Sequence, residues 1–333
     1  MASWVLMHKI DQINHIETAM KEMEIIPPVE KALLKNELTR DRFLRLTNNA
    51  FNEIYVINSH NSPNVMREVG RLRELSFRQA GGGTGKELDV DAYDIAPIPY
   101  EQLIVWDPPA EEIIGGYRYI HGAQAEKQSD GTPKLATRGL FNFSREFIDD
   151  YLPYTIELGR SFVQPAYQPS RENRKSIYSL DNLWDGLGAL VIDNPDVKYF
   201  YGKVTMYTHY DPFARDLILY FLKCFFPDPD QLVTPIEPLL YHHPEEKMQE
   251  VFSGESFEEN LRILSQAVRK QNENIPPLIN SYMGLSPTMR SFGTVLNHEF
   301  GGVEETGILI TIADIFPAKS DRHVKTYQDQ KNV

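Results

Sequence analysis

Apolar positions along the chain follow two rhythms. From Val65 through Val69, Leu72 and Leu75 they recur every three or four residues, with Phe77 beyond, which predicts a helix from about Pro63 to Gln79. Pro63 suits its first turn. Arg67, Arg71, Arg73 and Arg78 fall on the other side, where most of them are expected to be solvated. The same spacing at Leu183, Trp184, Leu187, Leu190 and Val191 predicts a helix over about 180–192, and further helices are expected over 212–226 and 257–272. Residues 11–51 also read as helical, with Pro27-Pro28 between the pieces and apolar residues at Leu34, Leu38, Phe43, Leu44 and Leu46. Short runs rich in β-branched and aromatic residues predict strands at 53–57, 102–107, 113–120, 154–164, 199–207 and 307–312. Pro108-Pro109 joins two of these closely enough for an antiparallel pair. Ser144 is placed to cap a short helix through Tyr151, and 227–246 is proline-rich and irregular. The order of elements implies an α/β sandwich on a mixed sheet.

The strand Tyr154–Gln164 is the most informative. It carries Glu157 and Arg160, two side chains that are costly to bury without a partner. Strict alternation puts them on opposite faces; a bulge at Gly159 would bring them to one face. The alternative is a solvated edge strand or one structural ion pair.

Composition narrows the chemistry. The chain has 333 residues, 41% of them hydrophobic, and a net charge of −13, which argues against nucleic acid as a partner. Cys224 is the only cysteine, so neither an intrachain disulfide nor a thiolate metal cluster is expected. The N-terminal residues lack the pattern of a signal peptide, and no apolar run has transmembrane length; a cytoplasmic protein, at most peripheral to the cytoplasmic membrane, is expected. Residues 80–86, Ala-Gly-Gly-Gly-Thr-Gly-Lys, look like a phosphate loop but are followed by Glu87 rather than Ser or Thr, and a helix rather than a strand precedes them. A flexible glycine loop fits better. The acids of 87–94 form either a surface run or a cation-binding patch. The basic loop Gln168–Ser176 opens onto a helix N-terminus, which suits a phosphate ester or else is simply solvated.

Arg73 with Phe77, Asp91-Ala92-Tyr93-Asp94, Gly116-Tyr117-Arg118 and Glu157-Leu158-Gly159-Arg160 together resemble the pattern of acyl-homoserine-lactone synthases, within the GNAT acyltransferase superfamily. Leu183–Leu187, Ile275–Met283 and His298-Glu299-Phe300-Gly301 make the chain more similar to bacterial ornithine-lipid and glycine-lipid N-acyltransferases, often labelled hemolysin-like. The resemblance covers roughly 55–315. It implies a GNAT-type mixed, mostly antiparallel sheet flanked by helices and splayed between the strands at 155–164 and 199–207. Around that sheet it leaves an N-terminal helical extension (1–52), an acyltransferase domain (53–315) with an insertion at about 227–275, and a C-terminal tail (316–333).

The implied reaction moves a fatty or 3-hydroxyfatty acyl group from a phosphopantetheine thioester to the amine of a small amino acid, giving a lipoamino acid. No tightly bound cofactor is expected. The donor is acyl carrier protein, or else acyl-coenzyme A. No Gly-x-Gly follows the central strand, which favours the carrier protein's single phosphate over a pyrophosphate. For this reaction Glu157 is the candidate general base, directly or through a water, or else only holds Arg160, the second candidate catalytic residue. Asp91 and Asp94 are placed to hold the acceptor ammonium and Arg73 and Arg118 to bind substrate, and the resemblance implies backbone N–H groups of the central strand as oxyanion donors. Arg118 or Arg160 is shaped for the acceptor carboxylate. Arg171, Arg174 and Lys175 are placed to meet the donor. His298, where the lipid acyltransferases usually have Asp, reads as structural. A non-catalytic binding or hemolysin-type protein and an autoinducer-type synthase are the alternatives.

Overall fold

The computed structural model describes residues 22–168 and 178–331. In chain order its elements are helix α1 (Lys31–Glu37), strands β1 (Phe43–Leu46) and β2 (Glu53–Ile57), α2 (Pro63–Gln79), β3 (Glu101–Asp107), β4 (Glu112–His121), β5 (Phe141–Phe143) and β6 (Thr155–Val163). There follow α3 (Ser179–Asp193), β7 (Tyr199–Met206), α4 (Pro212–Phe225), β8 (Val233–Pro235), α5 (Glu245–Gln249), α6 (Phe257–Lys270), α7 (Pro277–Met283), β9 (Arg290–Asn297) and β10 (Val303–Thr311). Eight strands form one sheet in the order β1-β2-β3-β4-β6-β7-β10-β9, while β5 and β8 pair separately. Every neighbouring pair in the large sheet is antiparallel except β6–β7. This is the mixed, mostly antiparallel sheet expected of a GNAT fold.

Both faces are covered. On one, α3 and α4 bring Leu183, Leu187, Leu190, Leu217 and Phe221 against Ile156, Leu158, Phe200, Ile308 and Ile310. On the other, α2 lays Val65, Val69 and Leu72 on Ile57, Ile104 and Trp106. Each such side chain contributes about 1.5–3 kcal/mol by leaving water. The helices are therefore held mainly by their packed stripes, aided by caps. The Asp211 carboxylate accepts from the N–H groups of Phe213 and Ala214, and Ser256 accepts from Glu259. Ser144 accepts from Phe147, as its place ahead of that turn predicts.

Four local expectations are corrected. Phe43, Leu44 and Leu46 are spaced acceptably for a helix, but the segment is the edge strand β1, because β2 offers it an unpaired edge. Arg45 there is buried and reaches the carbonyls of Asp185 and His323. Of the four α2 arginines only Arg67 is exposed; Arg73 is fully buried, and Arg71 and Arg78 are half-buried in ion pairs with Glu68 and Glu74. Strand β9 has no counterpart in the sequence pattern, since Gly293, at φ +86°, interrupts it where Pro235 packs close. The acids at 87–94 are not a surface run: Asp89 and Asp94 are fully buried. The glycine loop, by contrast, is no phosphate cradle. The Glu74 carboxylate already takes the N–H groups of Thr84 and Gly85 and the Thr84 hydroxyl.

Candidate active site

Strands β6 and β7 pair in parallel from Thr155–Tyr199 to Leu158–Gly202, and there the pairing ends, although both strands continue. Gly202 is required at this last rung: a Cβ on it would lie 2.6 Å from the Leu158 carbonyl oxygen. On its other edge β6 bulges. Arg118 of β4 faces Gly159 and Gly116 faces Phe162, so β6 uses one residue more than β4. The left-handed residue is Arg160, at φ +48°, rather than the neighbouring glycine.

The gap between the strands opens into a cavity of about 500 Å³ lined from both faces of the sheet. On one side the wall is apolar, with Leu158, Phe200, Ile308, Ile310, Leu278 and the rings of Tyr117 and Tyr282. On the other it carries Arg160, Lys203, Glu305 and the aromatic rings of Phe77, Tyr207 and Phe300. Ser179 and Leu180, at the start of α3, also border it.

Under the polar wall lies a network of charges. Arg73 contacts both Asp94 oxygens at 3.3 Å and donates to Gln102. Arg118 donates to Asp91 at 2.6 Å and to Asp94 at 3.3 Å. Arg160 pairs with Asp89 at 2.9 Å and with Asp91 at 3.7 Å, and its guanidinium lies 4.2 Å from the centre of the Phe300 ring. Burial pushes the Asp91 carboxyl up, but Arg118 and Arg160 outweigh it and hold it at about 2. Burial pushes the Asp89 carboxyl above the usual range, with Arg160 pulling against it. Burial lowers Arg118 too, yet Asp94 and Asp91 more than restore it. The network is thus a set of mutually neutralised groups that fixes Arg160 in its unusual backbone conformation.

Glu157 is 1% exposed and off the cavity wall. Its carboxylate accepts from the Thr137 hydroxyl at 2.7 Å, from the N–H groups of Thr137 and Ala136 at 3.2 Å, and from the Tyr100 hydroxyl. Burial and the Glu157 charge raise the Tyr100 phenol well above its ordinary value, so it stays protonated and donates. Arg118, which shares Asp91 with Arg160, lies over the ring of the Tyr100 that donates to Glu157, so a chain of contacts links the two residues.

Lys203 of β7 and Glu305 of β10 form a second charged pair, both on the cavity wall. Glu305 also accepts from Asn297 at 2.8 Å and Thr205 at 3.4 Å. Burial lowers the Lys203 ammonium below the usual lysine value, against the pull of Glu305. Among the described residues, no group of three His, Cys, Asp or Glu side chains is placed to hold a metal, and no helix is long and apolar enough to cross a membrane.

Residues 72–175 match the acetyltransferase (GNAT) domain family. The glycine N(alpha)-acyltransferase of Bacteroides thetaiotaomicron is 57% identical over 304 residues, 91% of this chain and 90% of that protein. The glycine N(alpha)-acyltransferase of Phocaeicola vulgatus is 54% identical over 307 residues, 92% and 94% respectively. The chain belongs to the GNAT N-acyltransferases. A solved CoA-dependent acyl-homoserine lactone synthase also aligns over 85% of the chain and 90% of its own, at 11% identity and a TM-score of 0.36, too low to carry weight.

In this GNAT acyltransferase the residues singled out from the sequence separate into two layers. Arg160 lines the cavity; Arg73, Asp91, Asp94, Arg118 and Glu157 sit behind it. Arg171, Arg174 and Lys175 lie outside the described residues. His298 is exposed on the turn that delivers Phe300 to the cavity. Lys203 and Glu305 were missed. The available signal was a lone lysine inside the strand Tyr199–Met206, and a Glu-Glu pair just ahead of the apolar run Gly307–Ile312.

Proposed function

We propose that this acyltransferase joins a fatty acyl group, carried as a phosphopantetheine thioester, to the amine of a small amino acid, with glycine the first candidate. One observation carries this reading: an apolar compartment and a charged compartment meet at the gap between β6 and β7. A thioester carbonyl set at Leu158–Gly159 has its chain in the apolar side and its carbon facing the charged side. The β6 backbone beyond Leu158 has no β7 partner, so those of its N–H groups that point toward β7 are available to a developing oxyanion. The names of the two relatives support glycine as acceptor.

For the donor, the start of α3 at the cavity mouth favours a phosphate, and Arg171, Arg174 and Lys175 precede it in sequence. We assign these three to attracting an acidic acyl carrier protein, with the product an N-acyl amino acid destined for lipid. Incubating the purified protein with acyl-carrier-protein or acyl-coenzyme A donors and single amino acids tests the reading. Thiol release that requires the amino acid, with a matching N-acyl product in the mass spectrum, is the expected result. Release without any amino acid, or no amide with any of them, would overturn it.

A further inference from the structure

Three charged residues line the cavity among those described: Arg160, Lys203 and Glu305. Arg160 is occupied by Asp89, Asp91 and the Phe300 ring. The other two are held mainly by one another. Lys203 pairs across the sheet with Gly307, and Thr205 with Glu305, so the two charges sit two residues apart on one face of adjacent strands. Their side chains are 13% and 1% exposed. An ion pair this deep is costly to take out of water and weak as a source of stability. Here it stands on the wall of an open cavity, beside the gap, since Lys203 directly follows Gly202, the last paired residue of β7.

We propose that Lys203 and Glu305 form the acceptor site, with Lys203 binding the carboxylate of the amino acid and Glu305 its ammonium group. This rests on the acyl-transfer reading above. An amino-acid zwitterion carries one charge of each sign, and so does this pair; the ligand exchanges with it charge for charge, leaving no ion unpaired. Glu305 then takes one proton from the ammonium. The freed nitrogen lone pair attacks the thioester carbon, forming the C–N bond. Collapse breaks the C–S bond, and a second proton from nitrogen goes to the leaving sulfur. The sum is one amide, one thiol and one proton, the last passing from Glu305 to water. Glu305 is thereby the catalytic base on the cavity wall, and Glu157, behind it, a positioning residue.

The test compares glycine with glycinamide, which keeps the amine and lacks the carboxylate, using one acyl donor. The wild type should prefer glycine by roughly tenfold or more in kcat/KM, the scale of one charge-assisted contact. Lys203→Met should abolish that preference by raising the glycine KM, with the donor KM unchanged, and Lys203→Arg should restore part of it. Glu305→Gln should lower kcat by on the order of a hundredfold, the usual range for a lost base. Lys203→Met combined with Glu305→Gln removes both charges together, so it leaves no orphaned ion if a single variant fails to fold. Equal use of glycine and glycinamide by the wild type would overturn the site without any variant. So would folded variants that keep the wild-type glycine KM, preference and kcat while the wild type makes N-acylglycine. A wild type that makes no amide at all would overturn the acyl-transfer reading itself.

Discussion

Leu158 is the last residue of β6 to pair with β7, and the residue it faces is Gly202. The contact is so close that any side chain on Gly202 would press on the Leu158 carbonyl, which is backbone and cannot swing away. Gly202→Ala should therefore force the strands apart at the rung that sets the cavity. A loss of about 1–3 kcal/mol in folding stability is expected, the range for overpacking a close-packed site. The rate should fall further than partial unfolding explains. Denaturant melts and steady-state rates at a temperature where the variant stays folded measure the two effects separately.

The Glu157 carboxylate takes four donors, and glutamine offers one oxygen in its place. Glu157→Gln should lower stability by roughly 1–3 kcal/mol, the cost of disturbing buried hydrogen bonds to a charged group. The acceptor KM and the shape of the pH profile should stay unchanged. A hundredfold drop in kcat with an unaltered melting temperature would return the role of base to Glu157.

Leu278 sits half-buried on the apolar wall, where a larger side chain intrudes on the compartment without disturbing the core beneath. Leu278→Trp should raise the KM for long-chain donors by about tenfold or more, since each excluded methylene is worth roughly 0.8 kcal/mol. Short-chain donors and the acceptor should be unaffected. A donor series of increasing chain length, assayed with wild type and variant, checks this.

Lys203 should shape the alkaline side of the pH profile. Its ammonium is lowered by burial, raised by Glu305, and lowered again by Arg160 and Arg118; Glu305 is in turn faced by Asn297, Thr205 and Tyr207. The folded pKa lies below the unfolded lysine value, so between the two the unfolded chain binds more protons. Stability therefore rises with pH through that window, while acceptor binding is lost as the ammonium deprotonates. The expected outcome is a glycine KM that climbs at a pH below the ordinary lysine range. In Lys203→Arg the climb should move to higher pH. Thermal melts across the same range should shift upward in the wild type.

Much of this was legible in the sequence, and the rest was hidden for identifiable reasons. Strands β6 and β7 follow from strong β formers and their adjacency from the family resemblance, and α2 begins and ends where Pro63 and its apolar stripe predict. The bulge was signalled by Gly159, but the strained torsion falls on Arg160 because distant Asp89, Asp91 and Phe300 hold its guanidinium. Strand β1 stayed hidden because Phe43, Leu44 and Leu46 suit either element until β2 offers an edge. Arg73 looked like part of a solvated face because its covering carboxylate, Asp94, arrives from a loop 21 residues on. Lys203 and Glu305 are about a hundred residues apart, and only the adjacency of β7 and β10 joins them.

A cavity that runs through a sheet, rather than lying on one side of it, also governs how the enzyme lets go. On the acyl-transfer reading proposed above, the finished amide is a single molecule with its tail in one compartment and its head in the other. It keeps nearly every contact that the two substrates made separately, so it should compete with both of them. Its tail must also re-enter water when it departs, at roughly 0.8 kcal/mol for each methylene. Departure rather than bond formation should then set the turnover rate, visible as a burst of one product per active site. Detergent micelles or lipid vesicles, which receive the tail as it leaves, should raise the steady rate and leave the burst unchanged.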